Sequence, residues 1–79
     1  MKELKNMIAQ AGLTEKDFAW DLKSVYTSNE MKGSELVELV RDQAGIEINK
    51  GELYSFLLEY CKNPDGNPFN YYGMKRWEN

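Results

Sequence analysis

The sequence predicts an all-α fold: a compact domain of four helices paired as two αα-hairpins, followed by an aromatic C-terminal tail. Two observations carry this. Four segments place apolar residues three and four positions apart, the spacing that lines one face of a helix. In each half, the first helix stops at a glycine and the second opens on a capping residue: Gly12 then Thr14, and Gly45 then Asn49. A chain of 79 residues makes one domain, 1–79.

The first helix is read over residues 2–11. Leu4, Met7, Ile8 and Ala11 share a face, and Gly12 stops it. The second runs over 14–26. Thr14 is its cap, Asp17 takes the capping-box position, and Leu13 and Phe18 form the hydrophobic staple. Its buried stripe is Phe18, Ala19, Leu22, Val25 and Tyr26, with Trp20 on the other side. Residues 27–33, TSNEMKG, are polar and end in glycine, so they read as a linker with Met31 as the apolar anchor.

The third helix, 34–44, starts at Ser34 as N-cap, with Glu35 against the positive end of the helix dipole. Leu36, Val37, Leu39, Val40 and Ala44 form its stripe, and Gly45 is a left-handed stop. The fourth, 49–62, carries the fuller signature. Asn49 and Glu52 close a capping box, Ile48 and Leu53 a staple, and Leu53, Phe56, Leu57, Tyr60 and Cys61 a broad buried face. Gly51 in its first turn costs about 1 kcal/mol relative to alanine, which caps and burial must outweigh.

The two halves also echo each other. Gln10-Ala11-Gly12-Leu13 matches Gln43-Ala44-Gly45-Ile46, and Thr14, Asp17 and Phe18 match Asn49, Glu52 and Leu53. Shared hairpin punctuation accounts for this match; a duplication is the other reading. Either way, each hairpin has an apolar face that needs the other to cover it.

The tail, 63–79, changes character. Asn63-Pro64-Asp65-Gly66 is a turn signal, and Asn67-Pro68 is an N-cap followed by proline at the first helical position. A short helix from Pro68 toward Trp77, interrupted at Gly73, is one structure for it; a two-stranded wing is the rival.

The chemistry is narrow. With no histidine and one cysteine, the chain lacks the usual general base, the Ser-His and Cys-His nucleophile pairs and a thiolate metal site. No catalytic residue, cofactor or metal is expected. Cys61, on a buried face, reads as a structural thiol. The net charge of −3 disfavours nucleic acid, whose binders normally carry a basic excess, although a local patch can suffice. No signal-peptide-like or membrane-spanning apolar run is present, so the expected location is cytoplasmic, with no membrane partner.

Three surfaces are candidates for binding. The tail crowds Tyr71, Tyr72, Arg76 and Trp77, residue types enriched at interface hot spots, although the tail can instead fold back to complete the core. Trp20, off its own stripe, is either covered by another segment or presented to a partner. Glu35, Glu38 and Asp42 form an acidic stripe, which is either a solvated face or a contact for a basic partner.

The segment Leu4 to Ile46, LKNMIAQAGLTEKDFAWDL followed by ELVELVRDQAGI, resembles the start of the helix-turn-helix domain of the phage-repressor and Cro class, with Thr14, Phe18, Ala19 and Leu22 at the pattern positions. The resemblance implies sequence-specific DNA binding, with a base-reading helix near Ser24–Lys32. The chain departs from the pattern after Leu22, where Lys23-Ser24-Val25-Tyr26 and a polar linker replace the glycine turn. A second arrangement reads bases with Asn49–Lys62, backed by a tail wing; its exposed Glu52 and Glu59 would face phosphates.

The expectation is therefore a noncatalytic protein-binding module: a small acidic regulator or inhibitor that occludes a partner surface, as monomer or homodimer. Its size and charge fit the inhibitors that phages and mobile elements direct at host proteins. The alternative is a degenerate helix-turn-helix transcriptional regulator.

Overall fold

The computed structural model describes residues 2–79, which form five helices and no strand: α1 (Lys2–Gln10), α2 (Glu15–Ser28), α3 (Gly33–Ala44), α4 (Lys50–Cys61) and α5 (Tyr71–Glu78). The two hairpins, α1–α2 and α3–α4, are joined chiefly by α2 packing along α4, and α5 docks on α3. No helix among the described residues is long and apolar enough to cross a membrane.

The caps act where local chemistry puts them. Thr14 Oγ1 accepts from the Asp17 N–H at 3.1 Å. Asn49 Oδ1 accepts from the Glu52 N–H at 2.8 Å, and Glu52 accepts in return from the Asn49 N–H at 3.3 Å. Gly45 ends α3 in the left-handed region at φ 68°.

α3 begins earlier than Ser34. Its cap is Lys32, whose N–H donates to the Glu35 carboxylate at 2.8 Å. Lysine has no side-chain acceptor, so only this half of a capping box forms. α2 also runs on to Ser28, so the expected linker shrinks to a turn over residues 29–32, with Glu30 at φ 48°.

Leu4 and Ile8 of α1, Ala19, Leu22 and Tyr26 of α2, Leu36 and Val40 of α3, and Leu53, Phe56, Leu57 and Cys61 of α4 form the core. Three apolar residues expected to be covered are not. Leu13, expected to staple to Phe18, is 45% exposed, whereas Ile48 and Leu53 are both buried, and Ala11, past the end of α1, is exposed as well. Val25 is 38% exposed, because it sits about 100° round the helix from Tyr26, which faces α4 and the tail. The echo between the hairpins thus stops at their loops: Ile46 and Ile48 are buried where Leu13 is out.

The tail is the largest addition. Asn63 organises its turn: Oδ1 accepts from the Asp65 and Asn67 N–H groups, and Nδ2 donates to the Phe69 carbonyl. The helix then starts at Tyr71, capped by Asn70 rather than Asn67, with Asn70 Oδ1 accepting from the Gly73 N–H at 2.8 Å. Gly73 does not break it. A Cβ there would lie 2.7 Å from Phe69 Cβ, so glycine lets Phe69 lie against α5.

Candidate protein-interaction surface

Burial divides the tail aromatics into two groups. Phe69 and Trp77 enter the core, at 3% and 6% exposure. Tyr26 stacks on Phe69 with ring centres 4.5 Å apart and meets Trp77 edge-on at 5.5 Å. Its buried hydroxyl donates to the Gly73 carbonyl at 2.7 Å, tying α5 to α2, and burial pushes the phenol pKa up. Trp77, expected among the binding residues, is therefore a core residue. A signal for this was present in the sequence: Phe69, Gly73 and Trp77 are four apart, the spacing of one helical side, although Phe69 itself lies just ahead of α5.

Tyr71 and Tyr72 stay out, at 65% and 70% exposure, with their rings in an edge-on pair 5.5 Å apart. Lys75 Nζ lies 5.0 Å from the Tyr71 ring centre. Arg76, on the same helix, is partly committed to structure. Its Nε donates to the Met31 carbonyl at 3.1 Å, and its guanidinium lies 5.4 Å from the Tyr26 ring. Met31, the expected linker anchor, is half-buried and is held by this bond.

Trp20 is 43% exposed and carries Lys23 Nζ 4.4 Å above its ring. Thr27 follows Trp20 by two turns and so lies on the same side of α2. Thr27 shares a shallow cleft with Glu30, Asn70, Tyr72 and Arg76. Trp20 thus lies two turns along α2 from the cleft that Tyr72 lines. Glu35, Glu38 and Asp42 are exposed on the side of α3 that faces away from the core, on a separate element from the aromatics.

Chemically reactive groups are quiet. The Cys61 thiol is buried between helices, which pushes its pKa up and disfavours the thiolate. Tyr60 donates a hydrogen bond to the Glu15 carboxylate, which helps push its pKa up to about 12. No three histidine, cysteine, aspartate or glutamate side chains among the described residues are grouped to hold a metal ion.

The base-reading helix implied near Ser24–Lys32 is not present as a separate element; those residues are the end of α2 and the turn after it. The helix that follows, α3, turns Glu35, Glu38 and Asp42 to solvent, a surface that repels phosphate. The wing needed to support α4 as a reading helix is replaced by α5. No protein-family model, curated protein or solved structure matches this chain.

Proposed function

We propose that this protein is a noncatalytic protein-binding module, a small acidic regulator or inhibitor that covers a surface of its partner. The observation behind this reading is the Tyr71–Tyr72 pair, held out at 65% and 70% exposure on a helix whose neighbouring aromatics are locked in the core. Tyrosine offers large contact area with little rotamer entropy to lose, and a rigid mounting lowers that cost further. Arg76 and Lys75 flank the pair, and Trp20 with Lys23 adds a further aromatic contact on α2. Glu35, Glu38 and Asp42 add a second, acidic contact region on α3.

The test is capture of a partner from an extract of the cells that make the protein, using the full chain and Tyr71→Ala/Tyr72→Ala side by side. The expected result is a stoichiometric partner retained by the parent and lost by the double variant, with both melting at the same temperature. Retention by both would move the contact away from α5. Saturable binding to duplex DNA that weakens steeply with salt would instead favour the helix-turn-helix alternative.

A further inference from the structure

An apolar cleft lies where α1, α2 and α3 meet. Met7, Phe18, Leu22, Leu39, Val40, Gln43 and Ala44 line about 220 Å³. Leu22 and Val40 form its buried floor, and Met7, Phe18, Leu39 and Ala44 are half-buried walls. Gln43 is the polar member. That volume falls below the roughly 300–1,000 Å³ of small-molecule pockets and suits one bulky side chain.

The rim carries a sign. Residues three or four apart are neighbours on a helix surface. By that rule Glu3 borders Met7, Asp21 borders Phe18, and Glu35 and Asp42 border Leu39 on either side; all four carboxylates are exposed. Among the lysines and arginines of the described residues, only Arg41 stands within one such step of a lining residue, Ala44.

We infer that this cleft docks a basic amphipathic helix of a partner protein. One apolar side chain enters the cleft, and flanking lysines or arginines face Glu3, Asp21, Glu35 and Asp42. A helix is the matching form: strand addition needs a sheet edge, and the described residues contain no strand, while polyproline segments dock in aromatic-lined grooves and this cleft has one aromatic wall, Phe18. A second copy of this chain is a poor occupant. Two-fold pairing through this face would set the same carboxylates against each other, in a protein already at −3. Met7 gives the wall an adaptable, polarizable side chain that accepts anchors of differing shape. This surface is distinct from the tyrosine pair, so either can fail without the other.

The experiment is a titration of the isotope-labelled full chain with a synthetic leucine–lysine amphipathic helix, followed by amide chemical shifts at low salt. Shifts should concentrate at Met7, Phe18, Leu22, Leu39, Gln43 and Ala44. Asp21→Lys/Asp42→Lys, at two exposed positions, should weaken binding about tenfold, as should added salt. A leucine–glutamate peptide of the same pattern should not bind. The inference is overturned if shifts centre on Tyr71 and Tyr72 or spread over the whole acidic surface. It is equally overturned if the glutamate peptide binds as well, or if the cleft residues shift with protein concentration alone, which would make a second copy the occupant.

Discussion

Replacing Gly33 with alanine tests how firmly α5 is fixed to α3. Helix propensity alone predicts a gain of up to about 1 kcal/mol, because glycine is the costlier residue in a helix. The packing predicts the opposite sign. A Cβ at Gly33 would stand 2.9 Å from Trp77 Cδ2 and 2.9 Å from the Trp77 carbonyl oxygen. Comfortable carbon contacts begin near 3.5 Å, so about half an ångström must be found. A ring can turn, but the carbonyl belongs to the α5 backbone, so the helix itself must shift. Overpacking of this kind costs about 1–3 kcal/mol, leaving a net loss of up to about 2 kcal/mol even after the full propensity gain. For a domain of this size that lowers Tm by up to roughly 15 °C. The assay is thermal unfolding by circular dichroism in a Trp20→Phe background, where Trp77 is the remaining tryptophan and its emission reports docking of α5. The expected outcome is a lower Tm with red-shifted emission. A Tm equal to or above the parent's, with emission unmoved, would refute the close contact between Gly33 and Trp77.

Truncation after Asn63 removes Phe69 and Trp77 from the core; at about 1.5–3 kcal/mol for each large side chain, the loss is about 3–6 kcal/mol. That rivals the whole stability expected of so short a chain, so the truncated form should lose its cooperative melt, and a melt unchanged from the parent's would show that α5 is not part of the core. Trp20→Ala should cost about 1–2 kcal/mol, less than the loss of a fully buried aromatic, since the residue is 43% exposed and Lys23 lies over one face of its ring; a collapse in the melting temperature would place Trp20 in the core instead. Tyr60, pushed up to about 12 by its bond to Glu15, should titrate late when followed by its ring-carbon NMR shift. Because its folded pKa lies above the ordinary phenol value of about 10, its contribution to stability is full below that pH and is lost as pH rises through the folded value. Glu15→Gln should bring the midpoint down, and an unmoved midpoint would remove Glu15 as the cause.

The sequence by itself determined the helices and most of their ends. Thr14, Asn49 with Glu52, and Gly45 act on groups within a few residues, so their chemistry is complete in the local chain. The stripe of α4 was legible for the same reason, since Leu53, Phe56, Leu57 and Cys61 lie on one side of a helix wherever it is placed. Tertiary structure decided which apolar sides found a cover. Val25 and Leu13 differ little in hydrophobicity from Leu22 and Ile46, yet the first two are exposed and the others buried, because no element lies over them. Gly33 opens α3 rather than ending a linker, and Trp77, distant in sequence, packs where any side chain at that position would go. The tail shows the division most clearly. Its composition marked it as either core or interface, and it is both. Phe69, just ahead of α5, and Trp77 turn toward Tyr26, while Tyr71 and Tyr72, between them in the chain, are left outside. Caps and periodicity act over one or two turns. Burial depends on which surface arrives from elsewhere in the chain, and no short stretch of sequence contains that surface.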